Sequence, residues 1–580
     1  MQSFGGRCLP AHVNWLAQAI QRAKQVAAAA PKRSPPPQKG RQQIPVYDAA
    51  AMASLGWLTF GGLAVWAAAP LLDRGQVDAV RAATALLGAA LLLGRQLLIG
   101  RGRGPSWLPR GFDIGLATLG LLAAAGYWNL FQFHYPMFGH PSDTYHYYLG
   151  GKYYPELGHT RLYVCTAIAD AESGRRNDVA RRHLRNLETN QVERAAHALS
   201  HPERCKDHFS DARWRAFKLD VGWFRSQLSK QRWHGIQVDH GYNGTPVWLL
   251  IGGHLANSGP ATTSRVLLLR LLDPVLLMLA WGTVTWAFGW RVLCVGLLYW
   301  GTNYPNQYGW VGGSFLRQID LAALLAGLAL LRRKHGFAAG FLLGFASLTR
   351  IYPAVLFAGP ALQLLGESWR QRRWVLAPEL RSLALGGLLA AALLLPAAAI
   401  STGGFESWSA FLENTRVQSE TPMRNHVGLR TLLSYDARHP ARISKSSEHP
   451  DPYGPWKQAR RQAFEQRRGV YAAIVVGCFA LLAVAVRGQP LWVATVLAAG
   501  LIPILGELTS YYATSLAVFA LLWTRFPPIG LGIVCLSGLG WVLVAQFRVY
   551  DQIFTWISLA TVLFVAFAWL WAWRRPPHAD

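Results

Sequence analysis

Long apolar runs recur along most of this 580-residue chain. A helix needs about 20 mostly apolar residues to cross a bilayer, and fewer where it is broken inside the protein. Only 15% of the residues are Asp, Glu, Lys or Arg, whereas soluble domains carry roughly a quarter. This composition excludes a soluble enzyme, a coiled coil and a disordered chain. The sequence therefore predicts an all-α polytopic membrane protein with about 12–14 transmembrane helices. The candidate spans are 51–72, 79–99, 113–133, 264–289, 291–307, 317–331, 337–349, 352–366, 382–400, 469–486, 490–506, 509–525, 528–547 and 552–573.

The net charge is +27, and the positions of the basic residues indicate the orientation of these spans. Lys and Arg concentrate in short cytoplasmic loops of membrane proteins, and here they fall in the N-terminal tail and in the loops near 95–110, 332–334 and 370–381. The two sides alternate only if the number of crossings is even, which favours dividing 337–366 into two spans. We expect both termini to be cytoplasmic, in a bacterial inner (plasma) membrane. The excess charge then faces anionic lipid, and no nucleic acid is expected as a partner.

Two long polar segments separate the groups of spans and are expected to form helical loop regions in the periplasm. There Cys165 and Cys205 could form a disulfide, or remain two separate reduced thiols. The predicted organisation is a basic disordered cytoplasmic tail at 1–50, N-terminal transmembrane helices at 51–133, the first periplasmic region at 134–263, central transmembrane helices at 264–400, the second periplasmic region at 401–468, C-terminal transmembrane helices at 469–573 and a cytoplasmic tail at 574–580.

The first polar segment opens with His140-Pro141-Ser142-Asp143-Thr144-Tyr145-His146-Tyr147-Tyr148. A carboxylate at a membrane surface, among His and Tyr side chains, can act as a general base towards a hydroxyl group. Asp143 is therefore a catalytic candidate, with His146 as a candidate substrate contact. The alternative is structural, since Ser and Asp before an aromatic run are good N-cap residues; Asp143 would then cap a helix that begins at Thr144.

The rest of this segment offers a possible cation site and a possible binding surface. Asp170 and Glu172 could hold a divalent cation, although this spacing is common by chance, and 175–232 resembles solvated helices. At 239–248, the Gly residues permit sharp turns, while Tyr and Trp offer faces on which sugar rings or headgroups could stack. The alternative for this stretch is an interfacial helix anchored by Trp248. The candidate substrate-binding residues here are Asp239, His240, Tyr242 and Asn243.

Charged residues within or beside membrane spans are costly and mark function by default. Arg350 has no carboxylate neighbour in the sequence and precedes Tyr352-Pro353. A planar guanidinium binds phosphate in a bidentate manner, so Arg350 is a candidate phosphate ligand, and snorkelling to lipid headgroups is the alternative. Arg317 and Asp320 follow a Gly-Gly-Ser-Phe-Leu sequence at the outer start of another span and are further candidates.

The second polar segment contains Trp408, Phe411 and Leu412 at helical spacing, which predicts an amphipathic helix on the membrane surface. Glu413, Asn414 and His426 could reach a headgroup or sugar, or act only in caps and turns. The sequence contains no Gly-rich nucleotide loop, zinc-ligand cluster or nucleophile elbow. No cofactor is therefore expected, apart from the divalent metal considered above.

Taken together, these motifs resemble the GT-C superfamily of integral-membrane glycosyltransferases, and most closely its bacterial mannosyltransferase-like members that use polyprenyl-phosphate sugars. The similarity covers most of the chain from about 112 to 525, with extra N-terminal spans and an insertion at about 160–235. The motifs that carry it are Asp143 early in the first loop, Gly-Gly-Ser-Phe-Leu-Arg at 312–317, Leu-Thr-Arg-Ile-Tyr-Pro at 348–353, Phe-Leu-Glu-Asn at 411–414 and Asn-His-Val-Gly-Leu at 425–429.

This resemblance implies that a sugar moves from a polyprenyl-phosphate donor to a hydroxyl of a glycan or lipid acceptor, in one inverting displacement. Asp143 would be the general base, and Arg350, Tyr352 and Arg317 would bind the donor phosphate. Asp143 is not part of an Asp-X-Asp pair, which disfavours the metal-dependent mechanism of oligosaccharyltransferases. The alternatives are a flippase for a lipid-linked sugar and a transferase of another headgroup onto lipid or glycan.

Overall fold

The computed structural model describes residues 72–98, 107–133, 138–446 and 448–575. All of these belong to one unit, Leu72–Asp580. The predicted cytoplasmic tail at 1–50 and the first predicted span at 51–72, apart from its last residue, lie outside the described residues, as do residues 576–580 of the C-terminal tail.

Seven helices among the described residues are long and apolar enough to cross a membrane, judged by length and composition. Each coincides with one of the predicted apolar runs, and the chain is mainly helical. It therefore has the composition and secondary structure of an integral membrane protein. The seven helices are Arg74–Leu98, Leu108–Tyr127, Thr263–Phe288, Pro378–Ser401, Arg468–Ala485, Pro527–Gln546 and Tyr550–Trp573.

In the other predicted spans, the individual helices have at most 14 residues. Gly and Pro residues interrupt them, and fewer than 20 residues suffice where a helix is broken inside the protein. The helix Ile319–Arg332, for example, is buried along most of its length. These shorter elements are Trp290–Thr302, Tyr304–Asn306, Tyr308–Val311, Ile319–Arg332, Gly336–Thr349, Tyr352–Phe357, Ala358–Gln371, Leu491–Ala498, Leu501–Leu505 and Ser510–Leu522.

The first polar region, from 138 to 262, folds around its own aromatic core, whose members include Tyr145, Tyr163 and Trp233. Cys165 and Cys205 form a disulfide within it. Its helical elements are Pro141–Lys152, Tyr154–Leu157, Leu162–Asp170, Ala171–Arg175, Arg176–Arg181, Ala195–Ser200, Glu203–Lys206, Asp211–Ser226, Lys230–Ile236 and Pro246–Asn257.

This region also contains a β-hairpin, so the interpretation of 175–232 as solvated helices is wrong between residues 183 and 194. The strands His183–Asn186 and Gln191–Arg194 pair antiparallel. The Asn186 side chain accepts a hydrogen bond from the Glu188 backbone N–H, which stabilises the turn. Burial of Leu184 in the core fixes the hairpin.

The second polar region contains the helices Glu406–Ser419, Leu429–Leu433 and Gly454–Gln466. Its short strand His426–Val427 pairs antiparallel with Leu508–Thr509, which lies between two of the short apolar helices. This pairing joins the polar region to the apolar helices beside the candidate site.

Two helices near that site pack with their backbones in close approach. Gly336–Thr349 carries Gly at every fourth position, and a Cβ at Gly340 would overlap the carbonyl oxygen of Leu383 on Pro378–Ser401. Membrane helices lack a hydrophobic driving force for association, so close packing of small residues takes its place.

We therefore expect Gly340→Ala to lower the stability of the protein by about 1–3 kcal/mol, because the methyl group forces the two backbones apart. Thermal unfolding in detergent measures this effect. Gly477→Ala is the matched control, since a Cβ there meets nothing within 4 Å and Ala favours helix by up to about 1 kcal/mol. Equal stability of the two variants would contradict the packing argument.

Candidate functional site

Arg350 lies at a break between two helices. The helix Gly336–Thr349 ends where Arg350 becomes extended, with φ −149° and ψ 124°. Pro353 lacks a backbone N–H and disfavours helix at the preceding residue, so the chain continues as the short turn Tyr352–Phe357. The break leaves the Arg350 side chain inside the protein, 5% exposed.

The guanidinium of Arg350 is buried with unused hydrogen-bond donors. Its Nε and Nη2 atoms have no hydrogen-bond partner in the described part of the chain. No carboxylate is near Arg350 in the sequence, but one is near it in the structure, since Asp320 Oδ1 lies 3.9 Å from Nε. This distance suits an ion pair but is too long for a hydrogen bond. Asp320 instead accepts a hydrogen bond of 2.5 Å from the Tyr352 hydroxyl. Buried donors without partners are rare in proteins, so these two are available to an anion.

Arg317 lies at the end of the Gly-Gly-Ser-Phe-Leu loop and is held by tyrosines. Its Nη1 donates to the Tyr147 hydroxyl at 2.5 Å, and its Nη2 donates to the Tyr512 hydroxyl at 3.4 Å. The guanidinium carbon lies 4.7 Å from the ring centroid of Tyr511, within the range of cation–π attraction. These contacts stabilise a positive charge that is 4% exposed.

Asp143 faces Arg317 and does not cap its helix. The helix Pro141–Lys152 begins earlier than the capping alternative required, and its N-cap is His140, whose Nδ1 accepts a hydrogen bond from the Asp143 backbone N–H at 3.2 Å. Asp143 Oδ2 lies 3.9 Å from Arg317 Nε. Among the described residues this buried oxygen has no hydrogen-bond partner. The carboxylate, in the positively polarised first turn of a helix, therefore has an acceptor left for another group.

Tyr147 joins these groups into one unit. Its hydroxyl accepts from Arg317 and donates to Asn243 Oδ1 at 2.5 Å. Its ring centroid lies 5.1 Å from the guanidinium carbon of Arg317 and 5.2 Å from that of Arg350. We call the set Asp143, Tyr147, Arg317, Asp320 and Arg350 the charged cluster. Its two carboxylates balance its two guanidiniums in formal charge, and all four charged residues are largely buried.

A cavity of about 160 Å³ opens at Arg350. Sites that enclose a whole drug-sized ligand measure about 300–1,000 Å³, so this cavity holds no more than a headgroup. Three predicted site residues besides Arg350 line it: Tyr352, Asn243 and His426. The full lining is Asn243, Thr245, Arg350, Ile351, Tyr352, Phe411, Thr415, Gln418, Ser419, Met423, His426, Glu507, Leu508, Thr509 and Tyr512. We call it the Arg350 cavity.

Asp239 and His240 line a second, larger cavity of about 420 Å³. Met423 lines both cavities, so the two are neighbours. Both aromatic and charged side chains line the second one, including Trp310, Tyr453 and Lys457. We call it the Asp239 cavity.

Two predicted contacts lie behind the site. Tyr242 is fully buried and packs its ring against Tyr147 with centroids 5.5 Å apart, so it offers no open face for a sugar. Trp248 is 1% exposed, so its ring offers no open face either. His146 lies within hydrogen-bond distance of the Tyr163 hydroxyl, 2.8 Å from its Nε2, and supports the site from its interior side.

Glu413 and Asn414 also lie outside the Arg350 cavity. Glu413 is on the exposed side of its helix and pairs with Arg416 at 2.6 Å. Asn414 is 9% exposed, and its Oδ1 accepts from Gln418 Nε2 at 3.4 Å. Both side chains thus make these contacts within their own helix.

Asp170 and Glu172, the possible cation ligands, each pair with cationic side chains of the protein. Asp170 is fully buried and pairs with Arg182 and Arg225, each at 2.8 Å. Glu172 pairs instead with Lys206 at 3.0 Å. Cationic side chains thus already neutralise both carboxylates, in two different places. No cluster of three or more His, Cys, Asp or Glu residues suited to a metal occurs in the described ranges.

Sequence reasoning overlooked Tyr147, Tyr512 and Glu507. Tyr147 is one of three tyrosines in the motif at 140–148, and nothing in the pattern distinguishes it from the other two. A signal did exist for Glu507, which is the only acidic residue between 469 and 550. An isolated carboxylate between apolar segments is functional by default.

Comparison of the chain with family models, curated proteins and solved structures finds no match.

The buried His140 predicts how the stability of the folded protein depends on pH in acid. Burial lowers the pKa of His140 to about 4, against the opposing effect of the nearby Asp143 and Asp239 carboxylates. An unfolded histidine takes up its proton near pH 6.5. The contribution of neutral His140 to the stability of the folded protein is therefore fully present above pH 6.5 and is lost as the pH falls towards 4. This contribution is at most about 3 kcal/mol.

We expect His140→Asn to retain the helix cap, because Asn is a favoured N-cap residue, and to have a shallower loss of stability between pH 6.5 and 4. Unfolding temperatures measured across this range for both proteins test the expectation. An unchanged pH dependence would show that His140 is not neutral in the folded protein.

Proposed function

We propose that the chain is an integral-membrane glycosyltransferase of the GT-C type, which moves a sugar from a polyprenyl-phosphate donor to a hydroxyl of a glycan or lipid acceptor. The observation that supports it is the buried guanidinium of Arg350, which has two donors without partners in the described ranges and lines a cavity of headgroup size. Tyr147 and Arg317 connect this group to Asp143, whose buried Oδ2 also lacks a partner among the described residues.

In the proposed reaction the acceptor hydroxyl attacks the anomeric carbon of the donor sugar. The bond between that carbon and the phosphate oxygen breaks, and the electron pair leaves with polyprenyl phosphate. Arg350 stabilises the negative charge that develops on the leaving oxygen, since fixed donors in a buried site need no reorganisation. Asp143 accepts the proton of the hydroxyl as general base. The stereochemistry inverts because there is a single displacement.

The two cavities suggest how the substrates divide. The Arg350 cavity encloses only a headgroup, so the polyprenyl chain would remain in the lipid between the apolar helices. The neighbouring Asp239 cavity, with its aromatic and charged lining, would take the acceptor. In this proposal the site faces the periplasm of a bacterial inner membrane, because long polar loops can be translocated to that side regardless of their charge.

Binding of the donor lipid tests the role of Arg350. We expect Arg350→Ala to weaken binding of polyprenyl phosphate about 10–100-fold, because a hydrogen bond to a charged group contributes roughly 1.5–3 kcal/mol. Native mass spectrometry of the purified full-length protein in detergent gives the Kd. Arg438→Ala is the control, because that side chain is 84% exposed. Equal Kd values for the two variants would contradict the assignment.

Transfer itself tests the role of Asp143. We expect Asp143→Asn to lower the rate of donor consumption about 10²–10⁴-fold, the usual contribution of a positioned general base, with little effect on the Kd for polyprenyl phosphate. The measurement follows polyprenyl phosphate released from polyprenyl-phosphate mannose. Undiminished release would exclude Asp143 as the base. Movement of the intact lipid across a vesicle membrane, without release, would indicate a flippase.

A further inference from the structure

The small antiparallel pairing of His426–Val427 with Leu508–Thr509 brings together two side chains that line the Arg350 cavity. They are the Glu507 carboxylate and the His426 imidazole. In this register His426 lies opposite Thr509, which is two residues along the chain from Glu507. Glu507 Oε1 lies 3.6 Å from His426 Nδ1, and the two side chains are 4% and 3% exposed. Both residues line the same cavity as Arg350.

Glu507 is the only acidic residue among the residues that line this cavity, and Arg350 is the only Lys or Arg among them. The Glu507 carboxylate is held in place from the protein side: it accepts from Thr431 Oγ1 at 3.1 Å and pairs with Arg430 at 3.4 Å. An ionised carboxylate has about four acceptor positions. Its orientation is therefore fixed, and it retains capacity for a further donor.

The amide side chains of the cavity are already engaged. Asn243 Oδ1 accepts from Tyr147, and Asn243 Nδ2 donates to Gln418 Oε1 at 3.4 Å. Gln418 Nε2 donates in turn to the His240 carbonyl oxygen at 3.2 Å. With both amides engaged in this way, the Glu507 carboxylate remains as an acceptor in the cavity with capacity for a ligand.

We infer that Glu507 selects the sugar of the donor: it accepts hydrogen bonds from the hydroxyls of an uncharged sugar and excludes a sugar that carries a carboxylate. This inference rests on the proposed function. Like charges repel in a buried site, so Glu507, although it pairs with Arg430, disfavours a phosphate or a uronic acid placed against it. The phosphate therefore binds at Arg350 and the sugar at Glu507, which orients the headgroup within the cavity.

Three lipids separate this inference from the proposed function: polyprenyl phosphate without a sugar, polyprenyl-phosphate mannose and polyprenyl-phosphate mannuronic acid. We expect Glu507→Gln to leave the Kd for polyprenyl phosphate within about twofold. It should weaken binding of the mannose lipid about tenfold, as expected for one lost hydrogen bond to a charged group. It should also reduce the preference for mannose over mannuronic acid, because Arg430 then lacks its carboxylate partner.

Glu507→Asp is the second variant, since it keeps the charge and the pairing with Arg430. We expect it to bind the mannose lipid more weakly while still excluding the mannuronic acid lipid. Glu465→Gln is the control, because that carboxylate is 64% exposed and outside the cavity. Unfolding temperatures establish that each variant is folded, and Glu507→Asp carries the test if Glu507→Gln is not.

Two kinds of failure can be told apart. If the variants change the Kd values of all three lipids equally, or change none of them, Glu507 does not contact the sugar and the inference is wrong. If wild-type protein does not bind polyprenyl phosphate, or if Arg350→Ala does not weaken that binding, the proposed function fails, and this inference fails with it.

Discussion

The burial of the Arg350 guanidinium is the constraint on which the rest of the site depends. A charge removed from water is costly unless it is paired and hydrogen-bonded. Here the protein supplies an aromatic face from Tyr147 and a carboxylate from Asp320 that is 3.9 Å away, yet no described residue forms a hydrogen bond with Nε or Nη2. Such an arrangement is poorly explained by stability alone. It is well suited to an anion that completes the coordination of the guanidinium.

The charged cluster depends on elements that are far apart in the sequence. Asp143 and Tyr147 come from the first helix of the polar region, Arg317 from a loop between apolar helices, and Arg350 from a helix break. Because the rings and hydroxyl groups of tyrosines lie between the charges, a change at one member alters the surroundings of the others. Interactions of this kind are not additive. The proposed general base and the proposed phosphate ligand would therefore act as one unit.

Much of the architecture could be predicted from the sequence, because apolar runs must be buried in lipid or protein. The same physics identified Arg350, since a charge within apolar sequence is costly wherever it lies. Residues whose role arises only from tertiary contact were harder to identify: Tyr147 between two guanidiniums, and Glu507 beside a strand of two residues. The prediction that Tyr242 offers an open ring face for a sugar was wrong for the same reason, because a motif rich in aromatic residues can equally form a core. The short spans and the hairpin at 183–194 also depend on packing that hydrophobicity patterns do not contain.

The most direct test of this account is an experimentally determined structure of the protein in a lipid nanodisc that contains polyprenyl phosphate. We predict density for a phosphate in the Arg350 cavity, with an oxygen within about 4 Å of Arg350 Nη2 or Nε, the distance of an ion pair, and with the lipid tail leaving between apolar helices. A phosphate bound elsewhere, with both of these nitrogen atoms hydrogen-bonded to protein groups, would contradict the central claim.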